Sequence, residues 1–354
     1  WFSKPSSRMS ATKLASIAAV AVVWLALDSL RSQFLVQLGN GYYSKLDFSL
    51  KGELLKDALR ETIKDQTVLS YKEVWAALED VDRGQGECSP STIHDIYTGT
   101  CWLPRDQRCS KATASENQCY NREHVWPKSW YGGFERGGGA ETDVFSLFAV
   151  DGFVNRQRWN FPYGEVVNAS YTSKSGAKVG PCTHSASVTA ETSRVRGRVK
   201  WYSETKGYGF VEVPRSVDAL VHRSEVEGAG KLHKGQAVEM DLAEGMPGKG
   251  PRGVKVRSVV DTCFEPPDNV KGDLARAMFY VSVRYRGQLG CCQNDAVKAH
   301  RLHKWLEGVL RRWHEEDGVD GAEQRRNELI YARWQHNRNP FVDHPTLVAR
   351  IDDF

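Results

Sequence analysis

The sequence predicts an α+β fold interrupted by an all-β insertion. Three observations carry this expectation: helical periodicity near both ends of the chain, short β-rich runs broken by glycines between about 194 and 260, and a charge excess confined to that same stretch. The chain has 354 residues, 40% hydrophobic and 26% charged, which is long enough for two or three domains and apolar enough to bury a core. Net charge is only +4, and Arg196 to Arg257 alone carries 12 Lys and Arg against 8 Asp and Glu. The remainder is therefore neutral. So mild an excess identifies no polyanionic partner by itself, but it says which segment to inspect.

Residues 1 to about 41 read as leader and linker. The sequence opens at Trp1, and Met9 reads as a start, followed by a short basic region ending at Lys13. Leu14 to Leu27 is an apolar run ended by Asp28. It is shorter than the ~20 residues that span a bilayer and matches a signal-peptide core. The small residues around Ala26 fit a cleavage site poorly, so an uncleaved anchor or a buried helix stays open. A secreted or lumenal protein is expected (extracellular, vacuolar or periplasmic), with no membrane embedding beyond such an anchor. Eight cysteines without a Cys-x-x-Cys pair point the same way, to disulfides. Asn168-Ala-Ser170 is a glycosylation sequon. Cys182 and Cys263 flank the insertion, whose two ends should lie close together, so they are expected to pair. Cys291 and Cys292 are expected to join two separate partners.

Residues 42–193 and 261–354 read as the two parts of one domain around the insertion at 194–260. Leu54, Leu55, Ala58, Leu59 and Ile63 predict a core helix over Lys51–Asp65. Leu302, Trp305, Leu306, Val309, Leu310 and Trp313 predict another over Ala299–His314, with Gly318 just past its end. His300 and His303 lie beside that stripe without a third ligand, so a zinc site is not expected there. His314 and His344 read as structural.

Within the insertion, residues 198–211 read RVKWYSETKGYGFV. Val199 and Trp201, then Tyr208 and Phe210, alternate around a Thr-Lys-Gly turn, which places each pair on one strand face. Aromatic rings on such a face stack nucleobases at ~1–3 kcal/mol each, whatever the base sequence. Lys200 and Lys206 flank them and can meet phosphates. The stretches Lys206–Val211 and Asp218–Ser224 resemble the two ribonucleoprotein motifs of cold-shock domains, in order and correctly spaced. The resemblance covers about 196–259 and implies a five-stranded oligonucleotide-binding (OB-fold) barrel. It implies base stacking by Trp201, Tyr208, Phe210 and His222. Leu220 and Arg223 stand where the family usually has aromatics, so weaker stacking is expected, partly offset by the Arg223 charge.

The sharpest catalytic motif is Tyr120-Asn-Arg-Glu-His-Val-Trp-Pro-Lys-Ser-Trp130. In an extended segment, Glu123 and His124 project to opposite sides. A carboxylate suits a hard cation, and a histidine can take a proton from water near neutral pH. A second stretch, Asp143 to Val166, holds Asn155 and Arg158 at helical spacing, and an Asn155 amide oxygen could complete a sparse Mg²⁺ site. These segments resemble the endonuclease I family of ββα-metal (His-Me) finger nucleases. Further resemblance lies in Asp65–Tyr71 with Val74-Trp75, Phe264–Gly272 with Ala275–Tyr280, Arg325–Tyr331 and Asn337–Pro345. The resemblance implies that His124 is the general base and that Glu123 and Asn155 bind one Mg²⁺, Mn²⁺ or Ca²⁺ ion. It implies cleavage of DNA, RNA or both with little sequence preference, leaving 5′-phosphate ends. Arg158 matches the geometry of a phosphate clamp. Where the family often has a second histidine, this chain has Phe145; activity is expected to survive at a reduced level. Arg136 is a candidate product-contacting arginine. A monomer is expected. The competing reading is a catalytically degenerate nuclease scaffold retained to hold RNA or DNA, which Phe145 and Ser146 favour.

Overall fold

The computed structural model describes residues 41–354 apart from 112, 132–138, 184–193, 214–215, 228–231, 233, 235, 246–249, 259–261, 289–295 and 299–300. The expectations for the leader, Arg136, Cys291, Cys292 and His300 lie outside the described residues. Among the described residues, no helix is long and apolar enough to cross a membrane.

Helix α1 (Gly52–Ile63) buries Leu55, Leu59 and Ile63 one turn apart, as its periodicity predicts. Leu54 departs from that expectation: it is 68% exposed, and the aliphatic stem of Lys56 takes the place in the buried stripe instead. Helix α2 (Glu73–Val81) follows. A two-stranded ribbon then forms, β1 (Ile93–His94) against β2 (Cys101–Trp102), closed by the Cys88–Cys101 disulfide.

The next three elements form the ββα unit. Strand β3 (Tyr120–His124) pairs antiparallel with β4 (Leu147–Asp151), with Glu123 opposite Phe148 and His124 opposite Leu147. Asp151 ends β4 and caps helix α3 (Gly152–Arg158), its carboxylate accepting from the Phe153 and Val154 amides at 2.8 and 3.0 Å. The strand therefore passes straight into the helix with no loop between. Position 152 must be glycine, because a Cβ there would collide with Cys109 Sγ of the Cys109–Cys119 disulfide.

Strands β5 (Tyr171–Thr172) and β6 (Lys178–Pro181) lead to the insertion. There β7 (Val195–Ser203), β8 (Tyr208–Glu212), β9 (Ala219–His222), β10 (Ala237–Ala243) and β11 (Arg252–Ser258) close into a five-stranded barrel. Its interior is filled by Val199, Val211, Val221, Val238, Met240 and Val256. The pairing of β7 with β8 corrects the alternation read from sequence. Its register shifts between Val199 and Trp201, so Val199 faces the core while Trp201 faces out. An irregularity of one residue reverses the side on which the next side chain emerges.

Strand β12 (Thr262–Glu265) returns to the outer domain and pairs with β6, Thr262 opposite Pro181 and Cys263 opposite Gly180. The Cys182–Cys263 disulfide forms as expected, at the base of the insertion. The six cysteines among the described residues thus pair among themselves.

Helix α4 (Lys271–Arg284) is buried along nearly its whole length and forms the centre of the outer domain. Strands β13 (Val297–Lys298) and β14 (Arg301–Leu302) form a hairpin before α5 (Lys304–Glu316). The second predicted helix therefore starts five residues late: Leu302 is buried from a strand, not from the helix. Helix α6 (Gly321–Leu329) runs into a π-helical turn, Ile330–Trp334, and α7 (Pro340–Asp343) follows. His314 bonds the Pro345 carbonyl at 3.2 Å and His344 packs edge-on against Phe48, which agrees with structural roles.

Candidate active site

A cleft of about 270 Å³ opens where β3 meets α3, lined by Glu123, His124, Asn155, Arg158, Lys128 and Trp159 among others. The structure thus brings all four expected nuclease residues together. The strand supplies Glu123 and His124. The helix supplies Asn155 and, one turn later, Arg158.

His124 is nearly buried, and its Nε2 lies 3.0 Å from the Glu141 carbonyl oxygen. A carbonyl only accepts, so Nε2 carries the hydrogen and Nδ1 keeps its lone pair. Burial pushes the imidazolium pKa down to about 3, and the charge of Lys128 adds to this. The ring is therefore neutral at pH 7 and able to receive a proton at Nδ1.

Glu123 is 2% exposed. Its Oε1 accepts from Tyr97 Oη at 3.0 Å and pairs with Arg158 Nη1 at 2.9 Å. Tyr97 Oη in turn lies 2.7 Å from Tyr163 Oη. Burial pushes both phenol pKa values well up, so each keeps its proton: Tyr163 donates to Tyr97 and Tyr97 to Glu123. Burial also pushes the Glu123 carboxyl up, while the Arg158 charge pulls it down. Its second oxygen, Oε2, has no hydrogen-bond partner among the described residues. Asn155 Nδ2 donates to the Arg122 carbonyl at 3.2 Å, which leaves Oδ1 as the amide's uncommitted atom. One carboxylate oxygen and one amide oxygen on the same cleft suit a hard divalent cation that keeps most of its water. Among the described residues, no group of three His, Cys, Asp or Glu side chains is gathered as a metal cage. The donor set fits Mg²⁺ as a sparse site and does not fit zinc.

Arg158 departs from its expected role. It is 1% exposed, and its guanidinium donates to the His124 carbonyl at 3.0 Å and the Val125 carbonyl at 2.8 Å besides pairing Glu123. A side chain so engaged is not available to clamp a phosphate; it ties α3 to the end of β3. Two further cations border the cleft: Lys128, and Arg122, whose Nη1 donates to the Tyr71 carbonyl at 2.7 Å. Arg122 sits over the Tyr71 and Trp75 rings at 3.7 and 4.2 Å, and Lys128 lies over Tyr71 at 4.5 Å while pairing Glu141. Both lie within the Glu-His motif, so their position signals them; nothing in the sequence signals Tyr97 and Tyr163.

Phe145 lies outside this cleft. It is buried against Tyr280, ring centroids 4.8 Å apart, and borders a separate cavity of about 120 Å³. Beside it, Asp143 accepts five hydrogen bonds, from Gln66, Tyr280, Tyr285, Gln335 and the Phe145 amide, at 2.7–3.0 Å. This buried hub fastens the entrance of β4 to α4 and to the segment after α6.

On the barrel, Trp201 faces Phe210 and Phe210 faces Leu220, while Tyr208 faces His222. Directly paired residues share a face, so these five side chains form one outward surface. Trp201 is 39% exposed, with ring centroids 5.5 Å from Tyr208 and 5.6 Å from Phe210. Gly209 lies between the two platform residues of β8, where a Cβ would collide with the backbone of Trp201. Lys206 and His222 are exposed, His222 with Nδ1 2.9 Å from Ser224 Oγ. Lys200 pairs with Asp218 at 2.8 Å, and Arg223 donates to the Glu204 carbonyl at 2.9 Å.

A ββα unit with a strand-borne Glu-His pair and a helix-borne Asn is the arrangement the resemblance anticipates. The endonuclease I family model matches residues 51–202 and 243–346. The chain belongs to the endonuclease I family. It is a nuclease, and its endonuclease I domain is split by a cold-shock DNA-binding domain, whose family model matches residues 195–259. Over 304 residues the chain is 28% identical to an extracellular ribonuclease of Bacillus subtilis (strain 168), covering 85% of this chain and 74% of that protein. A Bacillus amyloliquefaciens extracellular ribonuclease is 28% identical over 313 residues, 87% of this chain and 77% of the relative. Cold shock-like protein CspLB of Listeria monocytogenes is 45% identical over 62 residues, 17% of this chain and 91% of its own length. These extracellular relatives and the three disulfides are consistent with a secreted protein.

Proposed function

We propose that the chain is a secreted or lumenal metal-dependent endonuclease that hydrolyses DNA, RNA or both with little sequence specificity. His124 Nδ1 takes a proton from a water molecule. The water oxygen forms a bond to phosphorus while the bond from phosphorus to the 3′ oxygen breaks; the departing 3′ oxygen takes a proton from solvent water, leaving a 5′-phosphate and a 3′-hydroxyl, and His124 returns its proton to solvent. Glu123 and Asn155 would hold a divalent ion, Mg²⁺ foremost, which when bound supplies Lewis-acid stabilisation of the charged phosphate and of the departing oxygen. Arg158, Tyr97 and Tyr163 act as positioning residues, fixing the Glu123 carboxylate and the end of β3. Arg122 and Lys128 meet substrate phosphates from the cleft wall. The barrel holds single-stranded nucleic acid on the face containing Trp201, Tyr208, Phe210 and His222. It raises the local concentration of substrate without adding contacts at the cleft.

The observation that carries this reading is the hydrogen bond from His124 Nε2 to the Glu141 carbonyl, because it fixes the tautomer a general base needs. Phe145, which with Ser146 favours the degenerate-scaffold reading, is buried against Tyr280 outside the cleft, and this weighs for the enzyme. The test is cleavage of plasmid DNA and a structured RNA by oxidised protein, with Mg²⁺ or with EDTA. Cutting should require the metal, and His124→Ala should lower the rate by roughly 10²–10⁴-fold. A well-folded protein that binds both polymers and cuts neither with any divalent ion would establish the binding-protein reading instead.

A further inference from the structure

Trp159 occupies a place that neither packing nor the chemistry above explains. It follows Arg158 directly, at the end of α3, and borders the cleft that contains Glu123 and His124. Trp102, Trp126 and Trp313 are fully buried, whereas Trp159 is 60% exposed. Exposing so large an apolar ring forgoes the burial that usually fixes a tryptophan. The backbone is unfavourable as well: φ is 49° and ψ is −120°, a region that bulky L residues rarely adopt. Three features hold it there: the Trp159 amide donates to the Asn155 carbonyl at 2.9 Å, the Trp159 carbonyl accepts from Arg158 Nη1 at 3.5 Å, and its ring makes a T-shaped contact with Phe161, centroids 5.5 Å apart. Strain of this kind persists where the surroundings over-determine it, and it clusters at ligand-binding sites. Here it projects an indole at the rim of the cleft, on the helix that carries Asn155.

We propose that Trp159 is a nucleobase-stacking residue of the nuclease cleft, selecting an unpaired base next to the scissile phosphate. This rests on the nuclease reading above. A flat, exposed ring beside phosphate-binding cations recognises a base of any sequence through its π-face. In a duplex, both faces of an interior base are already covered by its neighbours. The cleft therefore selects single strands, loops and frayed ends independently of the barrel.

The test uses full-length oxidised protein on one labelled oligonucleotide in three forms: single-stranded, annealed as a blunt duplex, and single-stranded with an abasic site stepped along it. Stacking is worth ~1–3 kcal/mol per base, so Trp159→Ala should lower kcat/KM on the single strand by roughly 5- to 150-fold. It should change cleavage of the duplex less than about twofold, and Trp159→Phe should retain most of the single-strand rate. One abasic position should lower cleavage by wild-type protein at a fixed distance from itself and have no further effect in Trp159→Ala. Trp159→Gly should raise thermal stability, because glycine relieves the strained φ, while lowering single-strand cleavage as alanine does. The same losses in a Trp201→Ala background would separate the cleft from the barrel. Equal losses on single strand and duplex, or no loss on either, would overturn the proposal. If wild-type protein cuts nothing, the nuclease reading fails on its own. The dissociation constant of the single strand in the Trp201→Ala background then decides: weaker binding in Trp159→Ala supports stacking, and unchanged binding overturns it.

Discussion

Asp95 shows how a residue distant from any motif sets the geometry of Glu123. Its Oδ1 accepts from the Tyr97 and Thr98 amides at 2.8 and 2.9 Å, and its Oδ2 accepts from Trp102 Nε1 at 3.0 Å. That turn aims Tyr97 at Glu123. Complete burial pushes the Asp95 pKa up to about 7, against the pull of those hydrogen bonds. The folded state therefore binds this proton more tightly than the unfolded state, where the carboxyl titrates near ~3.9. Its contribution to stability is fully present below pH ~4, declines as pH rises toward 7 by about 1.4 kcal/mol per unit, and is level above. An asparagine at this position has no such proton to lose. Urea unfolding of wild type and Asp95→Asn between pH 4 and 8 should show wild type losing stability relative to the variant as pH rises. Parallel curves would show that Asp95 stays ionised throughout.

At the scale of elements, the row of rings that runs across the outward face of the barrel from Trp201 through Phe210 ends on an aliphatic side chain, Leu220. That residue sits opposite Phe210, in line with Trp201. Leu220→Phe should extend the stacking row and tighten binding of a single-stranded oligonucleotide about fivefold or more, measured by fluorescence anisotropy with His124→Ala protein to prevent cleavage. Unchanged affinity would mean that bound bases do not reach β9. The same strands mark what sequence patterns can and cannot convey. Alternation located the aromatic face of β8 but not the register shift in β7, which moves Val199 and Trp201 to opposite sides. The stripe running from Leu302 to Trp313 reads as one helix because spacing reports burial, while Leu302 achieves its burial from a β-hairpin. Glu123, His124 and Asn155 were legible because the proposed chemistry needs those groups close together. Tyr97 and Tyr163 were not, since a phenol that donates to a carboxylate looks locally like any core tyrosine. Arg158 was legible as a member of the site and misleading as to its task, because burial is set by the whole fold and not by its own helix.

At the scale of the whole molecule, the insertion is tolerated because the chain leaves and rejoins the endonuclease I domain at one place. Pro181 pairs with Thr262 and Gly180 with Cys263, and Cys182 joins Cys263 across 81 residues of sequence. In the chain-entropy view, closing so long a loop stabilises the folded state by roughly 4–5 kcal/mol. The endonuclease I domain is thus fastened on both sides of the insertion by contacts that contain no barrel residue. Replacing residues 195–258 with a short Gly/Ser linker should leave β6 paired with β12 and the cleft intact. kcat on short single strands should then stay within a fewfold of wild type, because His124, Glu123 and Asn155 keep their partners. KM for long single strands should rise by about 10²-fold, the low end of what a tethered second site contributes. An unchanged KM on long strands would show that the barrel does not deliver substrate to this cleft. A kcat that collapses on short strands, in protein that still forms the Cys182–Cys263 disulfide, would instead show that the barrel completes the active site.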